Sequence, residues 1–490
     1  MTAAAPHGER AKAVVVMAAG LGTRMRSATV KVLHPVAGRP MIHYPVQSAL
    51  ALGATRVVVV LGHQRDRVEA YLRGAFPDAP IEVAIQEEQR GTAHAVLCAR
   101  AALEGFDGDV FILSGDVPTL ATHVIEELDR HTAGATVGVL GMRLDDPGHY
   151  GRLVRSDDGK LLRIVEFRDA GPDMRAIDEV NAGVYRVDAK FLFETLDRLD
   201  ADNAQGEYYL TDIVAEAVGR GGASAWVLSG AAAAEANGVN DRADLAAAER
   251  RMQAVLRARL MWSGVTLVDP DRVTLDAGVE VGPDTVIEPG VMLLGRTRIG
   301  AGCTIEMGCR LVDAEVGDGV VIHAGSYIED ARIGPGCHVG PYARLRTGTV
   351  LGERAKVGNF VETKKATLGP GAKASHLSYL GDATIGAGAN IGAGTITCNY
   401  DGVSKFETRI GAGAFIGSDT QLVAPVTVGD GAFVGAGSTI TQDVPADALA
   451  LSRGRQAIVA GWAARRRATL AAEKAEKASS AAPETTQDKD

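Results

Sequence analysis

The sequence predicts two folds in series: an α/β, Rossmann-like domain, then a parallel β-helix of hexapeptide repeats. Three observations carry this expectation. Short Val-rich apolar runs alternate with helical spacing from residue 12 to about residue 240. A glycine-rich segment follows directly on the first of these runs. From about Val265 an aliphatic residue followed by Gly recurs with a period of six. At 490 residues the chain also exceeds what one core supports.

The first element is Ala13–Met17, an unbroken apolar run that suits a strand buried on both faces. It enters Ala18–Gly22, where missing Cβ atoms let backbone N–H groups approach a ligand. Arg24 and Lys31 follow, and backbone donors with two cations make a trap for a polyphosphate. Neither GxGxxG nor GxxxxGK[ST] occurs in this segment. Arg56–Leu61 and Asp109–Leu113 read as further buried strands, and Ile42–Leu52 and Thr92–Leu103 carry helical spacing. This alternation predicts a parallel sheet with helices on both faces. Such sheets bind ligands at the carboxyl ends of their strands, where Gly20 and the Gly115-Asp116 pair stand. Asp241 to about Met261 reads as one charged, Ala-rich connector helix.

The repeat is plain in Ile385-Gly386, Ile391-Gly392, Ile410-Gly411, Ile416-Gly417, Val428-Gly429 and Val434-Gly435. Each hexad supplies one short strand whose aliphatic residue fills the axis, and the small residue makes the corner. A flexible linker would not keep aliphatics in phase. The phase breaks at Arg344–Glu353 and at Asn399–Glu407; the second break, NYDGVSKFE, reads as a protruding loop. Ile458–Ala472 has helical spacing, with Arg465, Arg466 and Arg467 as a solvated basic helix end. The polar stretch from Glu473 to Asp490 is expected to be disordered.

Composition removes several function classes. A hydrophobic fraction of 46% marks packed domains. A net charge of -10 argues against a general nucleic-acid binder, so a phosphate ligand must be held by local charge. Residues 1–12 lack an apolar leader region, and no apolar run has the length of a membrane span. The five cysteines (Cys98, Cys303, Cys309, Cys337 and Cys398) form no CxxC pair. They read as reduced thiols of a cytoplasmic protein without structural zinc.

The string Ala13–Lys31 resembles the signature of sugar-nucleotide pyrophosphorylases. Three further strings lie in the repeat: HLSYLGD (His376–Asp382), NIGAGTITCNYDG (Asn390–Gly402) and GSDTQLVAPVTVG (Gly417–Gly429). With them, residues 12 to about 455 resemble the family of bifunctional enzymes that make UDP-N-acetylglucosamine. The resemblance implies acetyl transfer from acetyl-CoA to glucosamine-1-phosphate. Uridylyl transfer from UTP to N-acetylglucosamine-1-phosphate then releases pyrophosphate, on the route to peptidoglycan. It implies a uridylyltransferase domain over 1–240, a linker helix over 241–263 and a left-handed β-helix acetyltransferase over 264–455. A C-terminal helix and tail follow over 456–490. It further implies Mg²⁺, a cytoplasmic homotrimer, and neither nucleic-acid nor membrane partners.

For uridylyl transfer the resemblance assigns Asp116 and Asn240 as the Mg²⁺ ligands. They are far apart in the chain, and a lone Asp after a strand is otherwise a turn or cap residue. By motif match Met17, Ala18, Ala19, Gly20, Gln86, Gly91 and Thr92 hold the nucleotide, with Ser114 and Gly115 flanking the metal ligand. Gly151, Glu166 and Asn181 grip the N-acetyl sugar. Arg24 and Lys31 suit the phosphates and the departing pyrophosphate.

Acetyl transfer needs a base for the ammonium proton, and imidazole titrates near neutral pH. The resemblance gives this task to His376, which by itself reads as a surface or packing residue. Arg346, Lys364 and Tyr379 match groups on the sugar phosphate. Asn390, with Asn399 and Tyr400 of the loop, completes the acceptor pocket. Asn399 and Tyr400 also border acetyl-CoA, whose site Ala393, Ser418, Ala436 and Arg453 line.

The chain departs from the family pattern in three places. Val30 and Thr347 stand where Pro is common, and Asp241 replaces a second Asn. The first two are expected to loosen the backbone beside Lys31 and Arg346. Two rival readings remain: a single-activity pyrophosphorylase whose β-helix is a scaffold, and a non-catalytic sugar-nucleotide sensor. The presence of Arg346, Lys364, His376 and Asn390 speaks against the first, and that of Lys31, Asp116, Asn240 and His376 against the second.

Overall fold

The strand Lys12–Ala18 lies at the centre of a mixed sheet, in a computed structural model that describes residues 10–220 and 222–480. The sheet order is Ala223–Leu228, Val137–Arg143, Glu179–Asp188, Asp109–Ser114, Lys12–Ala18, Arg56–Leu61, Ile81–Ile85. Alternate side chains of its strands enter two apolar layers, as the period of two requires. Val14, Val16, Val57, Val59, Phe111 and Leu113 enter one layer. Ala13, Val15, Val58, Val60, Val110 and Ile112 enter the other. Helices His43–Ala51, Arg65–Ala75 and Thr122–His131 cover the first layer, and Thr92–Cys98, Ala189–Leu196 and Asp212–Val218 the second. The helix expected over Thr92–Leu103 stops at Cys98 and resumes as a 3₁₀ turn over Ala101–Leu103.

One expectation is corrected here. The sheet is not wholly parallel: Glu179–Asp188 runs antiparallel to both of its neighbours. The chain reaches it from Val137–Arg143 through a hairpin, Arg152–Arg155 with Leu161–Val165, rather than through a crossover helix. A hairpin returns the chain antiparallel, whereas parallel entry needs a long crossover.

The chain divides into two compact units, Met1–Phe360 and Val361–Asp490. The first holds the α/β sheet, the connector helix Arg242–Trp262 and parallel β-helix coils from Thr266 onward. Its coils stack in register, with Ile287 beside Ile305, Ile322, Val339 and Val357 in turn. The connector helix is tied to the first coils. Gln253 donates to the Leu275 carbonyl at 2.6 Å and accepts from its N–H at 2.9 Å. Arg257 donates to the Val273 carbonyl at 2.8 Å. The phase break expected at Arg344–Glu353 does not occur, because Leu345 and Leu351 keep the six-residue step and each pairs with the coil before. Arg346 merely replaces the corner glycine, and the Thr349 hydroxyl closes that corner on the Arg346 carbonyl at 2.7 Å.

The second unit repeats the same coil. Ala374, Ile391, Ile416 and Val434 are stacked neighbours. The break at Asn399–Glu407 is a true insertion: Asn390 pairs with Phe415, 25 residues on, whereas Phe415 pairs with Phe433, 18 residues on. The loop turns on Asp401, whose carboxylate accepts from the Val403 and Ser404 N–H groups. It protrudes as expected, leaving Val403 90% exposed. A helix runs over Trp462–Ser480, so disorder over Glu473–Ser480 is corrected. Ala, Glu and Lys dominate this segment, and their helix propensity sustains a solvated helix without a core. Residues 1–9 and 481–490, including the leader reading and the rest of the tail, lie outside the described residues. Among the described residues no helix is long and apolar enough to cross a membrane.

Candidate active sites

In the first unit the phosphate loop, the strand end at Asp116 and the start of the connector helix meet. Asp116 follows the strand Asp109–Ser114, and its carbonyl accepts from the Val239 N–H at 2.9 Å. That bond brings Asn240 to Asp116 across 124 residues of chain. Lys31 joins them: its Nζ lies 2.5 Å from Asp116 Oδ2 and 3.2 Å from Asn240 Oδ1. Arg24 donates to the same Asn240 oxygen at 2.8 Å. Asp241 caps the connector helix by accepting from the Ala243 and Asp244 N–H groups, so the departure at this position has a structural use. Val30 holds φ -58°, a proline-like value reached without the ring.

The residues expected to hold the nucleotide gather around the same strand ends. Gly115 N–H donates to the Met17 carbonyl at 2.8 Å, and the Gln89 amide donates to the Ala19 carbonyl at 2.8 Å. Gln86 is buried and donates to the Gly91 carbonyl at 3.1 Å. Gly91 holds φ +110°, and a Cβ there would stand 2.7 Å from the Tyr208 nitrogen, so only glycine fits. Thr92 accepts from the Leu210 N–H at 3.0 Å. Ser114 ends its strand next to Gly115. Gly20 has open space around it.

The three residues expected to grip the sugar also converge. Asn181 N–H donates to the Gly151 carbonyl at 2.8 Å, and a Cβ on Gly151 would lie 3.4 Å from the Glu166 carboxylate. Burial pushes the Glu166 carboxyl above the usual carboxylate range, against the hydrogen bond it accepts from Thr211 at 3.3 Å. Sequence reasoning missed Thr211, Tyr185 and the strap Glu207–Asp212. The run EYYLTD carries no motif spacing; only the fold places it between the nucleotide loop and Glu166.

In the second unit the residues expected to serve acetyl transfer form a ladder along one corner of the coil. His376 ends the strand Lys373–His376 and is exposed. The next residue, Leu377, accepts from the Gly394 N–H at 2.9 Å. Ala393 accepts from Asp419 at 2.7 Å, Ser418 from Gly437 at 2.8 Å, and Ala436 from the Arg453 guanidinium at 3.0 Å. His376, Ala393, Ser418, Ala436 and Arg453 thus mark successive corners, spanning about 19 Å at the usual strand spacing. The adjoining face carries residues expected at the acceptor. Lys364 pairs with Gly381, Glu362 pairs with Tyr379, and the Tyr379 ring lies against Gly381. Asn399 is buried and donates to Asp382. Asn390 lies one strand before the Ala393 corner, and Tyr400 opens the protruding loop. Arg346 occupies its corner in the first unit. Burial raises the thiol pKa of Cys398, which reads as structural.

Fold and sites together define a nucleotidyltransferase joined to a hexapeptide-repeat transferase. Residues 13–248 match the nucleotidyl transferase family, 270–379 the GMPPB C-terminal domain and 407–442 the bacterial transferase hexapeptide family. The chain is 53% identical to the bifunctional protein GlmU of Anaeromyxobacter sp. (strain Fw109-5), covering 94% of each. It is 51% identical to that of Trichlorobacter lovleyi, over 93% of this chain and 98% of the relative. It is 50% identical to that of Geobacter sulfurreducens, over 93% and 99%. The chain belongs to the GlmU family of bifunctional enzymes.

Proposed function

We propose that this chain makes UDP-N-acetylglucosamine by two reactions at two separate sites. The first moves an acetyl group from acetyl-CoA to glucosamine-1-phosphate. The second moves a uridylyl group from UTP to the N-acetylglucosamine-1-phosphate so formed. The observation that carries the reading is that each reaction's residues gather on their own element set, one at the sheet's strand ends and one along a β-helix corner.

For acetyl transfer, the exposed His376 imidazole takes a proton as the substrate amine attacks the acetyl carbon. The C–S bond breaks and CoA leaves as its thiol. Lys364 and Tyr379 hold the sugar phosphate on the adjoining face, with Arg346 as a further cation. The corner ladder of Ala393, Ser418, Ala436 and Arg453 takes acetyl-CoA, and Asn390, Asn399 and Tyr400 close the acceptor side.

For uridylyl transfer, a phosphate oxygen of the sugar phosphate attacks the α-phosphorus of UTP and pyrophosphate leaves. Met17–Gly20, Gln86, Gly91, Thr92, Ser114 and Gly115 hold the nucleotide. Gly151, Glu166 and Asn181 hold the sugar. Lys31 and Arg24 receive negative charge from the phosphates. Asp116 and Asn240 fit Mg²⁺: a carboxylate and an amide oxygen already converge on a cationic ammonium. Mg²⁺ takes only one or two protein oxygens and fills its shell with phosphates and water. When bound, it neutralises phosphate charge.

We assign residues 1–240, 241–263, 264–455 and 456–490 as uridylyltransferase domain, linker helix, acetyltransferase domain and C-terminal segment. The assembly is a homotrimer in the cytoplasm. Unpaired cysteines throughout the described residues agree with a reducing compartment. The test is a pair of assays on the purified full chain, one for CoA release and one for pyrophosphate release. Absence of either activity in a folded protein overturns the bifunctional reading.

A further inference from the structure

We infer that Tyr185 is a positioning residue for sugar-phosphate binding, fixing the Asn181 carboxamide in its receiving orientation through a buried hydroxyl. The inference rests on the reading of Asn181 as a sugar-binding residue. Both ends of this carboxamide are engaged from below. Asn181 Oδ1 accepts from the Gly183 N–H at 2.9 Å, and Nδ2 donates to the Tyr185 hydroxyl at 2.7 Å. Turning the amide over would lose both bonds at once. One Nδ2 hydrogen and one Oδ1 lone pair remain for an acetamido sugar.

The backbone is built for this arrangement. Between Asn181 and Tyr185 the strand shifts register against Val137–Arg143: Asn181 pairs with Gly141 and Tyr185 with Val139. Between these pairs, three residues on one strand, Ala182 to Val184, therefore oppose one on the other, Leu140. Gly183 sits inside this bulge at φ +73°. Bulges re-aim side chains beside functional sites. The bulge turns the Asn181 carboxamide back toward Tyr185, whose ring belongs to the apolar layer with Leu153, Ile164, Ile213 and Val214. Tyr185 is 2% exposed, and a phenylalanine would fill the same volume. A hydroxyl placed in that layer needs a partner, and among the described residues Asn181 supplies one.

The test is Tyr185→Phe in the full chain, assayed by pyrophosphate release. Loss of one neutral hydrogen bond predicts a roughly 5- to 10-fold rise in KM for N-acetylglucosamine-1-phosphate. KM for UTP, kcat and CoA release should stay within about twofold. The same change in an Asn181→Ala background should alter the sugar-phosphate KM by less than about twofold, because the group it acts through is gone. Asn181→Leu supplies a second background: an aliphatic side chain has neither an N–H nor an oxygen for the Tyr185 hydroxyl, so Tyr185→Phe should again be silent. An equal effect in all backgrounds, or a parallel rise in the UTP KM, means a packing role and overturns the inference. No effect in the otherwise native chain overturns it as well. If Asn181→Ala itself leaves the sugar-phosphate KM unchanged, the sugar-site reading fails first, and this result is separable from the others.

Discussion

At the scale of single residues, the proposed sites should separate the two chemistries. Asp116→Ala removes the carboxylate that Lys31 holds and that the proposed Mg²⁺ would share. Uridylyl transfer should fall roughly 100-fold or more, the several kcal/mol a catalytic metal supplies, while CoA release stays near wild type. His376→Ala should do the reverse, with a loss of about 10²- to 10⁴-fold in CoA release. A tenfold drop of CoA release in a folded Asp116→Ala protein would contradict independent sites. Lys31 permits a further test. Its ammonium rests against both oxygens assigned to the metal, so an ion entering without nucleotide must displace it. Lys31→Met should therefore bind Mn²⁺ more tightly than wild type in the absence of UTP, read by paramagnetic resonance, and yet transfer uridylyl groups more slowly. Most of these residues were legible as motif members. What the sequence could not carry was the meeting of Asp116 with Asn240, because it depends on one backbone bond between Val239 and Asp116. Tyr185 and Thr211 were illegible for another reason: their chemistry lies in a bulge and a strap, and neither leaves a spacing.

At the scale of elements, periodicity was the reliable signal. The hexad located the β-helix strands, and the Val-rich runs located the central sheet. Direction failed where a hairpin replaced a helix, because the antiparallel entry of Glu179–Asp188 depends on what joins the strands rather than on their own composition. The tail failed because low hydrophobicity was read as disorder, although Ala, Glu and Lys favour a solvated helix. Packing between elements sets a pH dependence. His43 opens the helix His43–Ala51, accepts from Arg39 at 2.8 Å and meets the Tyr71 hydroxyl, on the helix Arg65–Ala75, at 2.9 Å. Burial, then the Arg39 charge, lowers its pKa to about 4, from an unfolded value near 6.5. Between these values the unfolded chain binds the proton and the folded chain does not. Stability from this site is complete above about pH 6.5 and is lost as pH falls toward 4. His43→Gln should lower the melting temperature at pH 7.5 but flatten its fall between pH 7.5 and 5. Parallel melting curves for the two proteins across that range would count against the assignment.

At the scale of the whole molecule, residues assigned to uridylyl transfer lie between Met17 and Asn240, so a fragment of residues 1–262 should release pyrophosphate and no CoA. It should also melt below a fragment of residues 1–360. Cutting after Trp262 strips Val273–Val279 from the connector helix and leaves Gln253, Leu256 and Leu260 uncovered. Two leucines alone are worth about 1.5 to 3 kcal/mol each when fully buried. The proposed homotrimer bears on the acetyltransferase half. Its insertion projects Tyr400, 59% exposed, and Val403 away from the coil, and Ile458, Val459 and Trp462 are exposed beyond it. A closed ring of three chains covers such surfaces on every subunit alike. The corner ladder sets His376 and Arg453 on one edge of the same chain, whereas the loop projects from the coil, where in the proposed trimer it would meet a neighbour's edge. Light scattering on the full chain should give three subunits. Subunits exchanged between His376→Ala and Tyr400→Ala proteins should regain part of the CoA release, because some interfaces then pair an intact ladder with an intact loop. Exchange between His376→Ala and Arg453→Ala should regain none, because every ladder still carries one defect. Rescue by the second pair and not the first would mean that Arg453 acts across the interface and the loop within its own chain. A monomer with full acetyl transfer would remove the need for a partner altogether.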